Sequence, residues 1–417
     1  MCYNEKKFFR KQVFLMNNKN VEKNTHPTNN YRKWLIGILI CLVIVLIAWL
    51  VVGHIQSKRN AEAEKFNASH FNSHVAIYDV PVGKLTVKKA TAKINEKAKN
   101  SAVLNDDEVI LKKNSDKVIT NKKVQSYFEE QHTRYPSRKK WNFQNTELLK
   151  AKEKLNEIKD RQVKYTVNGK SFVFKRSEVF PTVTYESDKY VFSDTKILAN
   201  KISNINKEVS TLHKSYDFQL PNGQVTKVKN ESYGWAINEK KLVAAVENAF
   251  VNNTQELNGK NYIYGEGFST YGTGYGLSNN GIGNNYIVVS LTDQKLWIYK
   301  NGKCVVTLDT IVTGTVETKI AHKNLETPTG VWYIQYKESP SVLKGINDDG
   351  SKYSVDVKYW MPFTLTGCGF HDNSWRKNWS KTAYLNDGSY GCVNLKPSDA
   401  PKVWNNIEKN EAVIIYK

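Results

Sequence analysis

The run from Leu35 to Val52, LIGILICLVIVLIAWLVV, contains no charged residue, and Arg32 and Lys33 stand directly in front of it. Such a stretch is long enough to cross a bilayer as one helix. The segment before it carries Lys6, Lys7, Arg10, Lys11, Lys19 and Lys23 against only Glu5 and Glu22. Positive charge stays on the cytoplasmic side, so residues 1–33 are expected as a cytoplasmic tail, 34–53 as a single transmembrane helix, and everything after as extracellular. A cleaved secretory signal is the other reading, but it has a short basic region and a small-residue cleavage site, and this run ends in Trp49-Leu-Val-Val-Gly-His54. A buried core helix rarely sustains so long an apolar run behind a basic pair.

A formal charge of +21 calls for anionic surroundings, which outside a cell means lipid headgroups or acidic surface polymers. Nucleic acid is not expected: the chain has no zinc-finger spacing, no RNP-like motif and no basic recognition helix. Of the five cysteines, Cys2 precedes the apolar run and Cys41 lies in it, leaving Cys304, Cys368 and Cys392. That odd number argues against a disulfide-stapled fold and leaves at least one thiol free or paired between chains. Cys304 and Cys368 read as small buried residues or as partners of each other.

The chain is expected to be an α+β multidomain protein, with a mixed α/β region over 54–264 and a mainly β domain over 286–417. Thr86 precedes helically spaced Val87, Ala90, Ile94 and Ala98; Asn145 or Thr146 precedes Leu148, Leu155 and Ile158; Asn238 precedes Leu242, Val246, Ala249 and Phe250. The segments near 85 and 237 share this cap-then-helix pattern, as a degenerate repeat or as two generic amphipathic helices. Asn168-Gly169 and Asn301-Gly302, each between strand-like runs, mark two hairpins. Residues 265–285, GEGFSTYGTGYGLSNNGIGNN, read as a Gly-rich interdomain linker. They are not a phosphate loop, because no Gly-Lys-Ser/Thr and no helix follow.

Chemistry concentrates in Gly369-Phe-His-Asp-Asn-Ser-Trp-Arg376 and Gly388-Ser-Tyr-Gly-Cys-Val-Asn-Leu395. A cysteine becomes a nucleophile when a nearby base takes its proton, and His371 is the natural partner of Cys392. Gly391 lets the backbone approach a bound carbonyl closely, and backbone N–H groups there can hold an oxyanion. Ser389 can orient the pair. On spacing alone, a cysteine in a glycine turn is more often packing than catalysis, and an isolated histidine is usually structural.

The order His, then Ser-x-Gly-Cys-x-Asn, closely resembles the signature of YkuD-type L,D-transpeptidases. Tyr286 to Gly302 resembles that family's opening hairpin, Val312-Thr-Gly314 its next strand end, and Thr327-Pro-Thr-Gly330 a loop. Tyr233-Gly-Trp-Ala-Ile-Asn238 resembles the peptidoglycan-binding domain that often precedes such catalytic domains. The resemblance implies Cys392 as nucleophile, His371 as general acid and base, and Ser389 and Gly391 as the positioning turn; Asn394, Tyr390 and Trp375 are expected as substrate contacts. It departs from the family at Tyr390, where many members have histidine, and at Asp372, where glycine is usual.

The activity so implied is transfer of a tetrapeptide stem, with loss of its terminal D-Ala, through a Cys392 thioester to an amine of a neighbouring stem. The product is a 3→3 peptidoglycan cross-link, made outside the cell with no cofactor and no metal. His322 competes weakly as base, and His70 and His74 have metal-like spacing without a third ligand. An L,D-carboxypeptidase on the same fold and a non-catalytic wall-binding protein are the alternatives. A sortase would need an arginine after Cys392, and none occurs there.

Overall fold

The computed structural model describes residues 30–317, 324–346 and 350–417; the expected tail up to Asn29, Cys2 and His322 lie outside the described residues. The described chain divides into two compact units, residues 30–98 with 117–143, and residues 99–116 with 144–417.

The first unit opens with the helix Asn30–Asn67, which continues well past the apolar run. Its side chains from Tyr31 to Val52 are exposed, and among the described residues it alone is long and apolar enough to cross a membrane. Behind it lies a small core of Phe71, Ile77, Val82, Ala90, Ile94, Val124 and Phe128. Two helices supply much of it, Val87–Lys97 and Asn121–Gln131. Thr86 and Thr120 cap them by accepting the N–H of Lys89 and of Lys123.

In the second unit, helices Thr146–Ile158, Lys196–Val209 and Glu239–Asn252 bury Leu155, Ile202 and Val246 against Val163, Tyr165 and Phe174 of a hairpin. That hairpin turns at Asn168-Gly169, both residues with positive φ (48° and 77°), the twist a two-residue turn requires. The Gly-rich segment 265–285, expected as an interdomain linker, lies inside the second unit and is held by hydrogen bonds. Tyr233 OH donates to Gly281 O at 2.6 Å, Gly276 N–H to Asn168 Oδ1 at 2.9 Å, and Thr273 N–H to Gly234 O at 2.9 Å. A Cβ on Gly272, at φ +78°, would lie 2.5 Å from Trp235 Cβ. Glycine serves close approach here, which composition read as looseness.

Among the described residues the β-rich region has ten strands: β1 Tyr286–Ser290, β2 Lys295–Lys300, β3 Lys303–Leu308, β4 Gly330–Tyr333, β5 Ser341–Ile346, β6 Lys352–Val357, β7 Trp360–Pro362, β8 Gly369–Asp372, β9 Val393–Leu395 and β10 Ala412–Tyr416. Five form a sheet in the order β3-β2-β1-β10-β4, with β1 and β10 parallel. One face packs Ile287, Val289, Val413 and Ile415 on Met361, Phe370, Val393 and Leu395 of the small sheet β7-β8-β9. The other packs Val288, Val331 and Ile414 on Phe218, Val228 and Tyr233. Burial on both faces explains the unbroken apolar runs of β1 and β10.

Candidate active site

In the small sheet β7 and β8 are antiparallel, and β8 and β9 are parallel, with Phe370 opposite Val393 and His371 opposite Asn394. Side chains alternate along each strand, so Phe370, Val393 and Leu395 enter the core while His371 and Asn394 share the other face. Cys392 lies one residue before β9. Its sulfur faces the turn that leads into β8: it is 3.9 Å from Gly367 O and interacts with the Gly369 N–H. His371 is two residues further along that same strand.

The loop carrying Cys392 is held from several sides. Ser389 Oγ donates to Cys392 O at 2.5 Å, and Ser389 N–H to Thr313 O at 3.0 Å. Thr327 Oγ1 accepts from Gly314 N–H and donates to Gly391 O, both at 2.9 Å. Ser389 thus holds the backbone of Cys392 itself. Gly391 sits at φ +99°, and a Cβ there would lie 2.7 Å from Cys368 Sγ, so no other residue fits without strain.

His371 is 4% exposed, between Trp360 and Trp375 with ring centroids 6.1 Å away in each case. Its Nδ1 is 2.8 Å from Asp372 O, and its Nε2 accepts from Asn394 Nδ2 at 2.9 Å. Burial lowers its pKa below the ordinary 6.5, against the raising effect of the Asp372 carbonyl and carboxyl; Arg376 lowers it further. Burial pushes the Cys392 thiol up to about 12, the neighbouring Cys368 sulfur adding to it and the Gly369 N–H opposing it. Resting sulfur and resting imidazole are therefore both neutral at pH 7. With both ring nitrogens engaged elsewhere, no hydrogen bond joins the two groups in this resting arrangement.

The other expected residues fall differently. Trp375 and Tyr390 are exposed at 48% and 44% and border the site. Tyr390 stacks on Tyr353 of the β5–β6 hairpin, whose phenol is pushed up by burial first and by its nearness to Cys392 second. Asn394, expected as a substrate contact, is 2% exposed and bonded to His371, Asn373 and Arg376, so it supports the histidine instead. Cys304 is exposed and Cys368 half-buried, and both are free; Cys304 is therefore neither a buried filler nor a disulfide partner. His70 stacks on Phe66, its Nδ1 beside Ser69 Oγ and Phe66 O. Among the described residues no group of three or more His, Cys, Asp or Glu is placed to hold a metal.

Three supports were missed in the sequence: Arg376, Asn373 and the Asp372 carboxyl, which accepts the N–H groups of Lys358 and Tyr359 at 2.8 and 2.9 Å. Their only signal was position in the segment that carries His371.

Residues 284–415 match the family of the YkuD L,D-transpeptidase catalytic domain. The C-terminal domain of this chain belongs to that family, an acyltransferase family acting on peptidoglycan stem peptides. Among solved structures, a mutant Enterococcus faecium L,D-transpeptidase is 26% identical, covering 63% of this chain and 97% of that one, with a TM-score of 0.48. The catalytic domain of the E. faecium L,D-transpeptidase is 37% identical over 32% of this chain and 97% of that one, with a TM-score of 0.28. Mycobacterium tuberculosis L,D-transpeptidase 1 is 21% identical over 32% and 63%, with a TM-score of 0.25. No curated protein matches the chain.

Proposed function

We propose that this chain is a membrane-anchored L,D-transpeptidase that forms 3→3 cross-links in peptidoglycan through a thioester on Cys392. The observation that carries the reading is the parallel pairing of β8 with β9, which sets the Cys392 sulfur against Gly369 with His371 two residues along the same strand. The exposed apolar surface of the N-terminal helix supports the anchor, and the basic residues before it support a cytoplasmic N-terminus with the catalytic domain outside.

The thiol is fully protonated at rest, so its proton moves to His371 as sulfur attacks the carbonyl of the third stem residue. The S–C bond forms, the C–N bond to D-Ala breaks, and the leaving amine takes the proton from His371. An acceptor amine then attacks the thioester, gives its proton to His371, and the Cys392 sulfur leaves and is reprotonated. The N–H groups of Gly391 and Cys392 have no acceptor among the described residues and are free to hold the oxyanion.

The test incubates the full-length protein with disaccharide tetrapeptide muropeptides and follows products by mass spectrometry. Cross-linked dimers that have lost one D-Ala, absent with Cys392→Ser, are expected. Tripeptides without dimers would reassign the domain as an L,D-carboxypeptidase, and unchanged substrate would leave a wall-binding protein.

A further inference from the structure

The hydrogen bonds behind His371 have only one consistent set of directions. The Arg376 backbone N–H can only donate, and it lies 2.9 Å from Asn373 Oδ1. That fixes the Asn373 amide, so its Nδ2 donates to Asn394 Oδ1 at 2.9 Å. The guanidinium Nε–H of Arg376 donates to the same Oδ1 at 3.1 Å. The oxygen of Asn394 is held by two donors, and its Nδ2 must face the imidazole. His371 Nε2 is then an acceptor, and Nδ1 carries the hydrogen it gives to Asp372 O. Every member points to the neutral Nδ1–H tautomer, and a proton on Nε2 would meet the Asn394 N–H head on.

Arg376 does more than fix this amide. Its side chain is 8% exposed, and Nη1 and Nη2 reach Asp387 O at 2.6 Å and Gly388 O at 3.1 Å, the residues that lead into Ser389 and the nucleophile loop. One planar fork thereby ties the Asn394 amide that faces the base to the loop leading into the nucleophile, a geometry that lysine cannot reproduce.

We infer that Arg376, acting with Asn373 through the Asn394 amide, is a positioning residue that selects the Nδ1–H tautomer of His371 and caps its basic Nε2 until catalysis. The proton leaving Cys392 has to displace the Asn394 N–H from Nε2. The enzyme accordingly rests as a neutral thiol and a neutral imidazole, protected from adventitious acylation. This deepens the transpeptidase reading and rests on it for the role of His371 as base. The titratable and charged groups around the imidazole are the Asp372 carboxyl on its own strand, Arg376 from the segment that follows, and Cys392 beside the neighbouring strand.

The experiment uses the full-length protein in detergent with 15N-labelled histidine, the His371 signals being identified by their loss in His371→Gln. The wild type is expected to show Nδ1 protonated and Nε2 unprotonated at pH 7. In Arg376→Met and in Asn394→Asp, whose carboxylate can only accept, Nε2 is expected to gain a proton, and His371 to titrate at higher pH. Acylation by ertapenem should lose about ten- to a hundredfold in maximal rate, the fold-change of one charged hydrogen bond, with its half-saturating concentration unchanged and its acid limb moved upward. Arg376→Lys should restore little.

A wild-type His371 protonated at Nε2 would overturn the inference. So would variants that lower only the melting temperature and leave tautomer and acid limb in place. Should Arg376→Met fail to fold, the wild-type tautomer and Asn394→Asp still decide. The expected tautomer without acylation of Cys392 supports the network, and the transpeptidase reading is then the part that fails.

Discussion

The central strands β1 and β10 of the larger sheet and the small sheet β7-β8-β9 are both buried but differ in what their far faces meet. Val288 and Ile414 turn away from the core that Ile287 and Val413 enter, and they meet a second apolar layer. His371 and Asn394 turn away from the core that Phe370 and Val393 enter, and they meet hydrogen-bond partners. An apolar face tolerates a change of shape at modest cost. A buried polar face does not, because each missing partner leaves another group unsatisfied. The proposed chemistry sits where the second kind of face was kept.

Adjacent residues on β8 give the sharpest way to break that contrast. His371→Ala is expected to lower turnover of the full-length protein by about two to four orders of magnitude, measured by muropeptide cross-linking. Phe370→Ala, one residue away on the core face, should cost about 3–5 kcal/mol in denaturant unfolding while each folded molecule keeps its activity. Equal activity losses per folded molecule would erase the distinction between the two faces. Ile414→Val, on the apolar far face of the larger sheet, should cost only about 0.5–1.5 kcal/mol and leave cross-linking untouched.

Acid and alkali sharpen the same contrast. The folded pKa of His371 is depressed below 6.5, so between that depressed value and 6.5 the unfolded chain binds a proton that the folded chain does not. Stability should fall as pH drops through this window, and His371→Gln should flatten the fall. The folded Cys392 thiol is raised from 9.0 to about 12, so the unfolded chain ionises first and stability should fall as pH rises above 9.0. Thermal unfolding against pH measures both. For the same reason the exposed Cys304 should react with iodoacetamide well before Cys392 at pH 8.

Local chemistry made much of this fold legible. Asn-Gly at 168–169 and 301–302 marks two hairpins, and Thr86 and Asn238 cap the helices that start after them. The pairing of Cys392 with His371 came from motif order, and the structure brings their strands together. What was not legible depends on partners distant in sequence. The Gly-rich segment packs because Trp235 and Gly234 lie beneath it, and Asn394 turns inward because Arg376 and Asn373 hold its oxygen. Neither partnership leaves a periodic or compositional mark.

The proposed transfer stands or falls on Cys392 as the acylated residue. Ertapenem, whose strained lactam carbonyl acylates a reactive thiol, is the direct probe. Intact-mass and peptide mapping of the full-length protein should show one ertapenem adduct, located on Cys392 and lost in Cys392→Ser. An unmodified mass, or an adduct that persists on Cys304 or Cys368 in that variant, would contradict it.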